Sequence, residues 1–248
     1  MRVLYLHQHF TTPQGSAGIR SYQFAKKLIE HGHTVTVLCG SHKVGNSGLT
    51  CPFKKGWRKG VVEGINVVEF DLKYSNTLNF YQRVIVFIRY IFLCIVHGYK
   101  VPFDIVFATS TPLTVSIPAI ILKLFKHKTF IFEVRDLWPE LPVALAVIKN
   151  PVIIFGLKAL EWASYNFANG CIGLSPGILD GIKKMRISKN NLIMIPNGCD
   201  SDIFKPVQKN NPDRKIRAIF SGAHGLANGI DAILDMGKIL VNHKRNDI

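Results

Sequence analysis

The sequence predicts an α/β fold: a doubly wound parallel sheet, followed by the opening strand and helix of a second sheet domain. Three observations carry this. Short apolar runs alternate with helix-period segments almost from end to end, as in successive βαβ crossovers. The strand-like runs "RVLYLHQ", "DIVFATS" and "KTFIFEV" have continuous apolar centres, as expected where both sheet faces are covered. The pattern breaks at 201–214, "SDIFKPVQKNNPDR", which is polar with two prolines, and restarts at Arg217.

Residues 2–8 read as a buried strand. Over 19–33, Ile19, Tyr22, Ala25, Leu28 and Ile29 share one helical face, and Gly32 ends it. Strands are predicted at 34–40 and 65–70, and an apolar helix at 80–97. Strands at 104–110 and 128–134 flank a helix at 112–126. For that helix Thr111 reads as the N-cap, Pro112 as the first helical residue and Pro118 as a kink. Asn150 and Pro151 open a helix that Gly170 stops, 171–175 is a strand, Ser175–Pro176 opens the next helix, and 191–196 is the last strand. The expected organisation is a first domain over 1–200, a linker over 201–214, and the start of a second domain over 215–248.

Of the 248 residues, 48% are hydrophobic and 19% charged, which supports a sizeable core and argues against global disorder. Lys and Arg number 31 against 16 Asp and Glu, a net charge of +15 that favours an anionic partner: nucleic acid, anionic lipid or a phosphorylated substrate. No helix-turn-helix, zinc-finger or RNA-binding signature is present, so specific nucleic-acid binding is not expected. The five cysteines are scattered without a CxxC pair, which points to a reducing compartment and away from structural zinc. Met1 leads directly into a strand-like run with no signal-peptide pattern, so a cytoplasmic location is expected.

Five stretches could carry chemistry. In "FTTPQGSAGIRS" (10–21), Gly15 and Gly18 would let backbone approach a phosphate or sugar at the carboxyl end of the first strand. The motif is not a dinucleotide fingerprint, and His7 and His9 read as loop histidines rather than metal ligands. In "FEVRDLWPELP" (132–142), Glu133 and Arg135 face the same way and form the nearest ion pair, Asp136 sits at the cleft edge, and Trp138–Pro139 makes an apolar wall. The pattern fits a structural ion pair or a substrate site. "KKGWRKG" (54–60) places Lys54, Lys55, Arg58 and Lys59 around Trp57 in a predicted long loop, suited to an anionic surface or to plain solvation. The apolar run 84–96, interrupted by Arg89, is short for a bilayer span and reads as a buried crossover helix or an interfacial one. Finally, "IPNGCDSDIFKP" (195–206) holds a turn after a buried strand, and in "SGAHGLANG" (221–229) Gly222 and Gly225 flank His224 where a ligand loop belongs.

The glycine loop at Gly15–Gly18, "LIEHGHTVTVL" (28–38), "LSPGILDGIKK" (174–184), "IPNGCDSDIFKP" (195–206) and "FSGAHG" (220–225) together resemble, in order and spacing, the family 4 retaining glycosyltransferases of the GT-B fold. "FEVRDLWPE" is similar to a narrower subgroup, the N-acetyl-fucosamine-type transferases of O-antigen and capsule assembly. The resemblance implies two Rossmann-like domains facing a cleft, with Gly15 and Gly18 near the acceptor and the reacting centre. It implies that Arg135 and Asp136 stand where many relatives carry His-Asp, with Asp136 the candidate catalytic group, and that Gly222, His224 and Gly225 lie near the donor diphosphate. The implied substrates are a nucleotide-sugar, UDP-linked, and a polyprenyl-diphosphate-linked sugar acceptor. No metal or other cofactor is implied. The enzyme would sit on the cytoplasmic face of an anionic membrane, with Lys54, Lys55, Trp57, Arg58, Lys59 and Arg89 as contacts. Most of the donor domain would lie beyond these residues, so little activity is expected of this chain alone. The alternative is a non-catalytic, membrane-docked acceptor subunit completed by a second chain.

Overall fold

The computed structural model describes residues 1–75, 77–186, 188, 190–201, 204–205, 218–222 and 228–245. Its strands are β1 (Arg2–Leu6), β2 (Thr34–His42), β3 (Trp57–Val62), β4 (Ile65–Tyr74), β5 (Ile105–Thr109), β6 (Thr129–Val134), β7 (Gly170–Gly173) and β8 (Leu192–Met194). They form one sheet in the order β3-β4-β2-β1-β5-β6-β7-β8. The β3–β4 pair is antiparallel and the other pairs are parallel. From β1 the chain first winds outward through β2 to β4, then restarts on the other side at β5. The crossovers therefore diverge between β1 and β5, leaving a crevice at the carboxyl ends of these two strands.

The helices are α1 (Arg20–Glu30), α2 (Phe80–Lys100), α3 (Ser116–Lys126), α4 (Glu140–Ala144), α5 (Pro151–Phe167), α6 (Pro176–Met185) and α7 (Ile230–Asn242). One core layer joins Leu4, Leu38 and Phe132 of the sheet to Val86 and Tyr90 of α2, Leu122 of α3, Tyr165 of α5 and Ile182 of α6. The opposite layer packs Tyr22 and Ala25 of α1 on Tyr5, Val37 and Phe107. Beyond α1, an open apolar groove of about 510 Å³ runs over Phe107, Ile131 and Ile172.

Two caps form as the sequence predicts. The Asn150 side chain accepts from the amides of Val152 and Ile153, and Ser175 accepts from Ile178, each with proline as the next residue. Asn79 and Gln82 make a reciprocal capping box that starts α2.

Three expectations are corrected. The helix predicted at 112–126 begins at Ser116, after a 3-10 turn at Leu113–Val115, and Pro112 is extended. Thr111 is therefore not its cap, and Pro118 falls in the first turn, where no intrahelical amide bond is lost. The long loop predicted around 54–60 is an edge hairpin. A two-residue turn with positive φ at Lys55–Gly56 bridges Lys54 to Trp57 and leads into β3, and a second at Glu63–Gly64 folds β4 back on β3. The apolar run at 84–96 is part of a 21-residue helix that, by length and composition, could cross a membrane. In the fold it packs on the sheet through Val86, Tyr90, Cys94 and Gly98.

Near the carboxyl end, α7 forms as expected but buries no residue, and 218–222 carries no strand. A strand needs a neighbour for its ladder bonds, and none of the described strands pairs with it.

Candidate functional site

The crevice between β1 and β5 is walled by the loop after β1. That loop is tied to the loop after β2: the Thr12 amide and hydroxyl donate to the Asn46 carbonyl at 2.8 and 2.9 Å, and the Asn46 amide donates to Thr11 Oγ1 at 2.9 Å. The Ser16 amide donates to the Val44 carbonyl at 2.9 Å. Gly15 lies inside this lattice, where a Cβ would stand 2.1 Å from Thr11 Oγ1 and 2.8 Å from the Asn46 nitrogen. Gly18 is different. A Cβ there would meet only the Arg135 guanidinium, at an ordinary 3.5 Å, so this glycine borders the cation rather than filling a tight seat.

Glu133 is fully buried at the end of β6, but its partner is not Arg135. Arg20 Nε, from the first turn of α1, donates to Glu133 Oε1 at 2.9 Å. The Thr109 hydroxyl lies 2.8 Å from Glu133 Oε2 and 3.1 Å from the Tyr5 hydroxyl, so it can donate to the carboxylate while accepting from the phenol. Burial, then the Glu133 charge, pushes the Tyr5 phenol well above its ordinary range, keeping it a neutral donor. The pair inferred from two-residue spacing is thus corrected. β6 ends at Val134, so Arg135 has left the strand and its backbone amide instead donates to Ser110 Oγ at 2.9 Å.

Arg135 therefore reaches the crevice beside Gly18. Next to it Asp136 is exposed and accepts from the Thr111 hydroxyl at 3.1 Å. Of the four predicted residues, Gly18 and Arg135 lie side by side at the carboxyl ends of the central strands, with Asp136 next to Arg135 in the chain and Gly15 held apart against Thr11 and Asn46. The histidines behind them are neutral. Burial, then Arg135 and its imidazole neighbours, depresses His7 well below its usual range, and its Nδ1 lies 2.7 Å from Ser21 Oγ. Burial, then His42 and Arg135, lowers His9 to about 3. The crevice thus combines a guanidinium and an exposed carboxylate with uncharged hydrogen-bonding groups. Among the described residues no cluster of three His, Cys, Asp or Glu could hold a metal.

The remaining predicted residues lie elsewhere. Lys54, Lys55 and Lys59 are exposed on the β3 hairpin. Arg58 is drawn inward, with Nε 2.7 Å from Glu69 and its guanidinium over the Phe53 ring. Trp57 packs edge-on against His97 of α2. Arg89 is exposed on α2 among Ile85, Ile88 and Phe92, which are also exposed. Gly222 is exposed, with the Phe220 ring as its neighbour, while His224 and Gly225 lie outside the described residues.

Sequence reasoning missed Arg20, Ser21 and Thr109. The usable signal for Arg20 was its place at the first helical position after the glycine loop, where it faces the carboxyl ends of the central strands.

No curated protein matches this chain. Among solved structures, sucrose-phosphate synthase from Thermosynechococcus elongatus is similar at a TM-score of 0.59 and 13% identity, over 83% of this chain and 50% of that one. A structure described as trehalose-6-phosphate from E. coli bound with UDP-2-fluoro glucose aligns at 0.49 and 13% identity, over 75% and 42%. The Anabaena protein HepE in complex with UDP and glucose aligns at 0.47 and 11%, over 84% and 47%. The chain thus spans about half the length of these structures or less. The first likeness shows the fold, one half of a GT-B architecture. The profile of Glycosyltransferase Family 4 matches residues 17–203, from the glycine loop through the segment after β8, and the chain belongs to that family.

Proposed function

We propose that this chain is the acceptor-side half of a nucleotide-sugar-dependent glycosyltransferase. The observation that carries the reading is the family match over residues 17–203, which takes in Gly18, Arg135 and Asp136 at the crevice. The donor is a UDP-sugar, bound chiefly by a second half of the enzyme, with Gly222, His224 and Gly225 at its diphosphate. The acceptor is a sugar on a polyprenyl diphosphate, as in the O-antigen and capsule subgroup that "FEVRDLWPE" resembles.

In that reading the acceptor hydroxyl lies against the Gly15–Gly18 loop, and Asp136, held by Thr111, orients it. Arg135 adds positive charge where the diphosphate departs, and fixed charge of this kind is the main lever on such a transfer. With a retaining outcome, the departing diphosphate accepts the hydroxyl proton and no protein base is required. Residues 1–248 alone would turn over slowly, because the second half supplies most of the donor contacts.

A peripheral position on the inner membrane face is part of the same proposal. Its support is the net charge of +15 and the exposed stripe Tyr81, Ile85, Ile88 and Phe92 on α2 with Arg89 among them. The hairpin lysines Lys54, Lys55 and Lys59 add to it, whereas Arg58 is committed to Glu69.

The test is a titration of the isotopically labelled chain with a short-chain prenyl-diphosphate sugar and, separately, with UDP-sugars. Shifts confined to 10–21, 110–111 and 135–136 on adding the acceptor are expected. Acceptor shifts that avoid these residues would refute the assignment of the crevice.

A further inference from the structure

The guanidinium of Arg20 does more than balance Glu133. Its Nε edge meets the carboxylate at 2.9 Å, and its other edge reaches the segment leaving the sheet after β8. One terminal nitrogen donates to the Pro196 carbonyl at 2.9 Å and to Asn197 Oδ1 at 3.3 Å; the other donates to the Ile195 carbonyl at 2.6 Å. The ring of Phe24, one helical turn on, lies 4.4 Å from the guanidinium carbon and holds its plane. The final sheet bond of this exit segment is Ile195 amide to Gly173 carbonyl, at 3.0 Å, and residues 196–201 beyond it are exposed.

From this geometry we infer that Arg20 is a positioning residue: it clamps the outgoing segment at 195–197 to the rim of the crevice. It thereby fixes where the connection to the second half leaves the first. Only a planar group with donors on two edges can serve a buried carboxylate and three outward acceptors at once, so lysine cannot replace it. The same side chain stands at the first position of α1, directly after the Gly15–Gly18 loop. The loop, the buried Glu133 and the outgoing segment are therefore joined through one residue. The functional consequence rests on the proposed reading of the chain as one half of a transferase; the clamp itself does not.

Cys199 provides the probe, because it is exposed in the outgoing segment. A nitroxide is attached there in a Cys51→Ser background, since Cys51 is the other exposed thiol. Arg20→Lys keeps a positive charge near Glu133 but abandons the three outward bonds. The label should then tumble roughly twofold faster or more, while thermal unfolding stays cooperative. Glu133→Gln keeps the outward bonds and removes the buried charge. It should lower the melting temperature and leave the nitroxide line shape unchanged. Unchanged mobility in Arg20→Lys, or equal loosening in Glu133→Gln, would overturn the clamp. If Arg20→Lys does not fold, the Arg20→Gln/Glu133→Gln double variant removes both charges together; a label as immobile as in the parent chain would again overturn it. No donor, acceptor or turnover enters the measurement, so a failed transferase assay would leave its outcome standing.

Discussion

Replacing Gly15 and Gly18 separately by alanine should give opposite results, although both belong to one loop. At Gly15 the new Cβ would stand 2.1 Å from Thr11 Oγ1 and 2.8 Å from the Asn46 backbone nitrogen. The hydroxyl could swing away, but the backbone nitrogen cannot, and the swing breaks the 2.9 Å bond between them. Overpacking of this kind costs about 1–3 kcal/mol, and the lost hydrogen bond about 1 more. At roughly 2–4 °C per kcal/mol for a chain of this size, Gly15→Ala should melt on the order of 5–15 °C lower. At Gly18 the new carbon meets only a flexible guanidinium at 3.5 Å, so Gly18→Ala should stay within about 0.5 kcal/mol of the parent. Its effect should fall on acceptor binding. Thermal unfolding by circular dichroism separates the two. A Gly15→Ala protein that melts with the parent, or a Gly18→Ala protein that melts well below it, would refute the account of this loop.

Three further outcomes are expected. Burial raises the Glu161 carboxyl to about 7, so between its unfolded value of 4.5 and 7 the folded state holds a proton that the unfolded chain releases. Stability should therefore fall as pH rises through that window, by on the order of 1–3 kcal/mol, and Glu161→Gln should abolish the slope in denaturant titrations. Asp136→Asn should leave melting nearly unchanged, because the side chain is exposed and, among the described residues, bonds only Thr111, but should lower transfer once a donor half is present. Replacing Ile85, Ile88 and Phe92 together by serine should weaken co-sedimentation with anionic vesicles several-fold, and replacing Lys54, Lys55 and Lys59 should weaken it less; equal binding by both variants would remove α2 and the hairpin as contacts.

The alternation of crossovers was legible because the parallel strands from β1 to β7 centre on apolar runs, each with a helix or hairpin after it. Local caps were legible for the same reason: Asn150 and Ser175 act on amides two or three residues away. Apart from the start of α3, which a local 3-10 turn displaces, what failed was nonlocal or turned on residue–glycine turns. The β3 hairpin hid behind charge, although Lys55–Gly56 and Glu63–Gly64 were readable as turns. The Glu133 partner was misassigned because spacing names Arg135, whereas the carboxyl ends of the strands bring Arg20 across from 113 positions away. The site loops were legible as loops, but the difference between Gly15 and Gly18 depends on Asn46, which only the fold places there.

The most direct test of the central claim is sugar transfer itself. Residues 1–248 would be assayed alone and fused to a complete donor-binding half, with a panel of UDP-sugars and a prenyl-diphosphate sugar acceptor. The account predicts transfer by the fused protein, lowered by Asp136→Asn, and little or none by residues 1–248. Equal, robust turnover by both forms, or transfer indifferent to the crevice residues, would contradict it.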